Sequence, residues 1–131
     1  MNKLKVLMSI KPEFVEEIIQ GNKKFEYRKK LFKRADVTSV VVYATKPYGK
    51  VVGEFEIEQI LIDTPNSIWK QTKKQSGISK HFFNSYFKDH TEGVAIQIKE
   101  FIEYEQHLEL FEFDNNLKAA PQSFCYTEGG F

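Results

Sequence analysis

The residues of this 131-residue chain best equipped for chemistry lie in one decapeptide, Gly21-Asn22-Lys23-Lys24-Phe25-Glu26-Tyr27-Arg28-Lys29-Lys30. From Phe25 to Arg28 apolar and charged residues alternate with the period of a β-strand. Phe25 and Tyr27 therefore face one side, and Glu26 and Arg28 the other. With Lys23 at the strand's mouth, this stretch offers an amine, a carboxylate and a guanidinium. Arg28 and Lys23 suit a phosphate or the acceptor edge of a base, and Glu26 suits an exocyclic amino group. A Lys23–Glu26 pair also suits proton transfer, provided burial raises the glutamate pKa or lowers that of the lysine. The same pattern fits a solvated strand face on which Glu26 and Arg28 pair with each other or with a neighbouring strand.

The surroundings of the decapeptide are basic. The formal net charge of +1 conceals an uneven spread: residues 1–50 carry twelve Lys/Arg against five Asp/Glu, and the rest carry seven against thirteen. The densest block, from Lys23 to Arg34, holds seven positive residues, with Glu26 the sole acid. A patch of this kind suits a phosphate-bearing partner, with Lys24, Lys29, Lys30, Lys33 and Arg34 placed to track a backbone. Cys125 is the only cysteine, which excludes an intrachain disulfide framework and a multi-thiolate metal site. His81, His90 and His107 lack the spacing that sets two imidazoles on one helical face, so no metal is expected, and nothing calls for a cofactor. No apolar run has signal-peptide form or approaches the ~18 residues of a membrane span, so a soluble, cytoplasmic protein is expected.

The elements that must position this stretch read in order. Residues 4–10 form a first strand, with Leu4, Val6, Met8 and Ile10 alternating. Pro12 opens a short helix with Phe14, Val15, Ile18 and Ile19 as its buried stripe, and Gly21 stops it. Ser39-Val40-Val41-Val42-Tyr43-Ala44 is a strand buried on both faces, joined through a turn at residues 45–49 to a strand over 50–61. Gly53 within that strand marks a bulge, a bend or a close approach. A helix starts near Asp63-Thr64-Pro65, with Ile68 and Trp69 buried, and breaks at Gly77-Ile78-Ser79. Ser79 caps a further helix through Phe87. The spacing of Phe82, Phe83, Tyr86 and Phe87 is more often that of core contacts than of a base-stacking platform. Strands return over 93–99 and 102–108, and residues 117–126 end in an extended piece. The whole is a single α+β domain over 1–131, built on a mixed sheet or small barrel.

Gly21-x-Lys23-x-x-Glu26-x-Arg28, after Leu7-Met8-Ser9-Ile10-Lys11-Pro12, resembles the signature of ASCH domains, which belong to the PUA-like superfamily of small β-barrels. The resemblance extends to Tyr43-Ala44-Thr45-x-Pro47, Val52-Gly53-Glu54-Phe55, Gly77-Ile78-Ser79 and Pro121-Gln122-Ser123-Phe124. It implies a stand-alone ASCH protein: a small mixed barrel of five or six strands with short flanking helices and a cleft. It also implies that the cleft binds RNA, a nucleotide or a nucleoside, with related domains recognising modified bases. Ser9, Lys11 and Thr45 are expected to line that cleft with Lys23, Glu26 and Arg28; for Ser9 and Thr45, local turn hydrogen bonding is the alternative. Single-stranded RNA fits a barrel cleft better than a duplex, because splayed bases can enter it.

One branch of the family resembled hydrolyses N4-acetylcytidine with a lysine, a threonine and a glutamate. The lysine matches Lys23, the threonine position falls at Glu26, and the glutamate position falls near Lys74 or Gln75. With no hydroxyl at the second position, the pattern favours binding over turnover. If the chain is an enzyme, Lys23 and Glu26 carry the catalysis. Two alternatives to an RNA-binding module therefore stand: a small hydrolase acting on a modified nucleoside or RNA, and a regulatory domain whose basic face meets an acidic protein.

Overall fold

A computed structural model of the chain describes residues 4–128. The order is β1 (Lys5–Ile10), α1 (Pro12–Ile19), β2 (Phe25–Arg28), β3 (Ser39–Ala44), β4 (Lys50–Asp63), α2 (Pro65–Thr72), α3 (Lys80–Tyr86), β5 (Gly93–Leu108), α4 (Leu110–Phe113) and β6 (Phe124–Thr127). The strands form one mixed sheet in the order β2-β5-β4-β3-β1-β6, with β1 and β3 parallel and every other pairing antiparallel. The sheet curls into a half-barrel, and the expected α+β, PUA-like architecture is the one found. Among the described residues no helix is long and apolar enough to cross a membrane.

Both faces of the sheet are covered. Val6, Met8, Ile10, Val40, Val42, Phe55, Val94, Ile96 and Ile98 point to the main core, which α1 closes with Val15 and Ile18. Leu7, Val41, Tyr43 and Val51 point the other way, under α4 and Leu117. β1 is thus buried on both faces, and even its Lys5 is buried. A third cluster joins Phe25 and Tyr27 of β2 to Ile68, Phe83 and Phe87 of α2 and α3. The pairing Glu26↔Ile96 and Arg28↔Val94 sets the two charged residues of β2 on the same face as the main core, at its end.

Several expectations need correction. β5 is one strand of sixteen residues, without a break near Lys99. Register shifts at Glu56/Ile57 and Ile57/Gln59 on β4 absorb the bend, so the exposed Lys99-Glu100 pair passes through within the ladder. Ile19 is 37% exposed, because the eight-residue α1 turns only Val15 and Ile18 fully inward. Trp69 is half-buried, its ring centroid 4.9 Å from that of Phe83. Gly53 is a close approach: a Cβ there would lie 2.6 Å from the Phe101 ring on β5.

Candidate functional site

Lys23 reaches its position through three local decisions. α1 ends at Ile19, and Gly21, two residues on with a φ of +85°, turns the chain back at little steric cost. The backbone amides of Asn22 and Lys23 both donate to the Glu17 carbonyl, which fixes the turn. The Lys24 amide then donates to the Gln75 carbonyl, and Lys23 is pressed against Gly77. Gly77 has a φ of +67°, and a Cβ there would come within 2.8 Å of the Lys23 Cα and overlap its Cβ. Only glycine lets these two segments, more than fifty residues apart, meet so closely.

The Lys23 side chain is consequently 1% exposed. Its Nζ donates to the Ser76 carbonyl at 3.2 Å and lies 3.7 Å from Glu26 Oε1. The Tyr27 and Phe14 rings flank it at 4.8 and 5.5 Å. Burial holds the Lys23 pKa below its ordinary value, although Glu26 opposes the shift. Burial also raises Tyr86, and it pushes Tyr27, whose hydroxyl bonds Thr72 Oγ1 at 2.7 Å, up to about 12.

Glu26 is buried as well, which sets aside the solvated strand face. Arg28 gives its Oε2 two bonds, from Nε at 3.0 Å and Nη2 at 2.8 Å. The guanidinium also donates to the Ser9 carbonyl at 2.8 Å and to Ser123 Oγ at 3.1 Å. Arg28 therefore spans the gap between edge strand β2 and the β1–β6 side of the sheet, holding the half-barrel's ends together. Four of its five N–H groups are used in doing so. Among the described residues Glu26 Oε1 has only the longer contact to Lys23, beyond ordinary hydrogen-bond length.

These residues line a cleft of about 200 Å³, together with Ser9, Ile10, Lys11, Phe14, Tyr27, Ile78, Phe82 and Tyr86. Five of the six expected cleft residues are thus brought together: Ser9, Lys11, Lys23, Glu26 and Arg28. The Ser9 hydroxyl is engaged with the Pro121 carbonyl at 2.7 Å. Thr45 is not among the lining residues. Its amide extends the ladder to the Ile10 carbonyl and its carbonyl receives Gly49, so it serves the β3–β4 turn. Of the basic set, Lys29 stands over the Tyr86 ring at 4.8 Å, and Lys24 is tied by its backbone to Gln75 and Ile98. Lys30 and Lys33 are exposed, and the amides of Lys33 and Arg34 bond the Tyr126 hydroxyl. Arg34 spends its charge on Asp36 at 2.8 Å. Lys74 and Gln75 sit in an exposed turn and do not line the cleft.

The aromatic wall needs a correction too. Phe83 and Phe87 are core residues, but Phe82 and Tyr86 are half-buried and face the cleft, their planes within 12° and centroids 6.3 Å apart. The cleft thus combines a desolvated amine, a carboxylate oxygen with spare capacity and two near-parallel rings. Among the described residues no three His, Cys, Asp or Glu side chains gather as a metal-binding group.

The sequence profile of the ASCH domain matches residues 8–119, and the chain belongs to that family. It is 26% identical over 94 residues to the ASCH domain-containing ribonuclease of Zymomonas mobilis, a match covering 72% of this chain and 64% of the relative. The crystal structure of ASCH from Zymomonas mobilis superposes with a TM-score of 0.84 at 24% identity, covering 97% of this chain and 89% of that one. The large ribosomal subunit protein uL22 of Ureaplasma parvum is 36% identical over 92 residues, 70% of this chain. The chain spans only 29% of the length of that relative.

Proposed function

We propose that the cleft binds a single base of a single-stranded RNA. The observation that carries this reading is the meeting of Lys23 Nζ and Glu26 Oε1 with the near-parallel rings of Phe82 and Tyr86 in one small cavity. The rings supply the stacking surface, worth about 1–3 kcal/mol per base. Lys23 donates to an acceptor on the base edge while Glu26 accepts from an amino group, and Arg28 holds Glu26 in place. The cavity lies below the ~300–1,000 Å³ of ordinary ligand pockets, a size that suits one planar ring system with its sugar and phosphates left outside. The ribonuclease name of the Zymomonas relative is in keeping with an RNA ligand.

The reading is tested by fluorescence anisotropy, comparing a labelled single strand with its duplex and with strands bearing acetylated or methylated bases. The single strand is expected to bind more tightly. Lys23→Met is expected to weaken binding about tenfold or more, the value of a hydrogen bond from a charged group. Equal affinity for duplex and single strand, unchanged by Lys23→Met, contradicts the reading.

A second reading, cleavage of the bound strand, is supported by the depressed pKa of Lys23 beside a carboxylate and by the relative's name. An amine whose pKa is lowered is equipped to take the proton of a 2′-hydroxyl as that oxygen attacks the adjacent phosphorus. The P–O5′ bond breaks, leaving a 2′,3′-cyclic phosphate, and the lysine ammonium returns the proton to the departing 5′-oxygen. Electrophoresis of the bound RNA separates the two. Shortened strands with the wild type but not with Lys23→Met mean turnover; intact strands mean recognition alone.

A further inference from the structure

Two cations lie over the two aromatic rings of the cleft, Lys11 from among its lining residues and Lys29 from just outside them. The Lys11 ammonium lies 5.1 Å from the Phe82 ring centroid, and the Lys29 ammonium lies 4.8 Å from that of Tyr86. Both residues are exposed, so water was open to them, and among the described residues neither ammonium has a carboxylate partner. The Arg34–Tyr126 contact on the β6 side differs, because Arg34 is already neutralised by Asp36. Exposed lysines left unpaired over rings hold their places by weak attraction alone.

Their attachment points, by contrast, are firm. Lys11 is the residue just before α1, and its carbonyl receives the amides of Phe14 and Val15. Lys29 directly follows Arg28, whose guanidinium is fixed at Glu26, Ser9 and Ser123. The two lysines thus hang from the α1 end and the β2 end of the cleft, each on a fixed backbone with a long mobile side chain. Lys11, Lys23 and Arg28 line the cleft against the single carboxylate of Glu26, and Lys29 adds a fourth cation beside it, over the Tyr86 ring.

We propose that Lys11 and Lys29 are a pair of latches: they cover Phe82 and Tyr86 in the free protein, and an entering nucleotide displaces both onto the phosphates flanking its base. The inference rests on the base-binding reading and deepens it. It makes the preferred ligand a nucleotide inside a strand, with a phosphate on either side, rather than a free nucleoside. The ring surfaces vacated by the ammoniums receive the base, and the released charges meet the backbone. An uncharged nucleoside must displace the same lysines without offering them a phosphate, so it binds at a disadvantage.

The test uses the full chain and two probes, an uncharged nucleoside and a trinucleotide of the same base with phosphates at both flanks. Binding is followed by NMR at several salt concentrations for the wild type, Lys11→Gln, Lys29→Gln, the double variant, and Lys70→Gln on α2 as a control. In the double variant the nucleoside is expected to bind about two- to fivefold more tightly, because the rings are uncovered. The trinucleotide is expected to bind more weakly, each substitution lowering the salt slope by about 0.7. Effects of opposite sign on the two probes are the signature, and a merely structural role for the lysines does not produce them. An unchanged salt slope, or both probes moving in the same direction, overturns the latch. Phe82→Leu separates this failure from that of the underlying reading. If it weakens both probes while the slope is unmoved in the lysine variants, base binding stands and the latch alone falls. If the wild type takes up neither probe, both fall.

Discussion

Among the described residues, two lysine–glutamate pairs are largely withdrawn from solvent, Lys5–Glu54 part-buried and Lys23–Glu26 buried, and they differ in kind. Lys5 on β1 and Glu54 on β4 meet at 2.6 Å, and the Tyr104 hydroxyl donates to the second Glu54 oxygen at 3.0 Å. Both carboxylate oxygens are engaged at short range, beside the cluster capped by α4. Lys23 and Glu26 are buried more deeply still, yet stand 3.7 Å apart; one Glu26 oxygen is committed to Arg28, the other has only this Lys23 contact among the described residues, and both side chains line the cleft. The first arrangement satisfies itself. The second keeps an amine and a carboxylate oxygen desolvated without bringing them into full contact, which is costly for a purely structural pair and useful for one awaiting a ligand. Burial of charge does not mark a site; burial with unspent hydrogen-bonding capacity does.

The sharpest way to break this comparison is to substitute both lysines with methionine and measure unfolding in urea. Lys5→Met removes one partner of a close, part-buried pair and is expected to cost about 3 kcal/mol, the lower end for a buried pair. Lys23→Met leaves Glu26 held by Arg28 and removes a poorly solvated charge, so it is expected to change stability by less than about 1 kcal/mol while weakening RNA binding about tenfold or more. Equal destabilisation by the two would make the cleft cluster another piece of the core.

Gly77→Ala probes how the cleft lysine is seated. Its Cβ overlaps Lys23 at a backbone position with φ of +67°, and the expected cost is about 1–3 kcal/mol, with weakened RNA binding. Gly21→Ala, also at positive φ but with open space around its Cβ, carries the backbone strain without the overlap. It is expected to destabilise the fold by less and to leave binding nearer that of the wild type. Equal effects at both glycines would show that the contact with Lys23 is unimportant.

The smallest effect concerns pH. Tyr27 keeps its proton in the folded state up to about 12, whereas in the unfolded chain it ionises near 10. The folded state therefore binds more protons between those values, and stability falls as pH rises through that window. Tyr27→Phe is expected to lose about 1 kcal/mol near neutral pH, from the Thr72 bond, and to flatten the alkaline decline. Urea midpoints on either side of pH 10 check the sign.

Much of the scaffold was legible because it follows from local rules. Strand alternation places Glu26 and Arg28 on one face, Gly21 turns the chain just past α1, and Ser79 caps α3 by accepting from the Phe82 amide. The burial of Lys23 was not legible, since it depends on Gly77, Ser76 and Phe14 from other segments, and no pattern within Gly21–Arg28 reports their arrival. Phe82/Tyr86 and Phe83/Phe87 share the same four-residue spacing on adjacent stripes of one helix, so spacing alone does not say which pair lines the cleft. α4 also escapes a sequence reading: its capping box starts from Glu109, outside the usual Ser/Thr pattern. For Thr45 the sequence leaves turn and cleft open, because a turn threonine next to a buried strand looks the same in either role; its backbone bonds to Ile10 and Gly49 are those of the turn.

The most direct test of the central claim is a backbone and side-chain NMR titration of the wild type with a short single-stranded RNA. The account predicts perturbations concentrated on Ser9, Lys11, Lys23, Phe82 and Tyr86, with Lys5, Glu54 and Tyr104 unmoved. Perturbations centred on the Lys5 cluster, or none at saturating RNA, would contradict it.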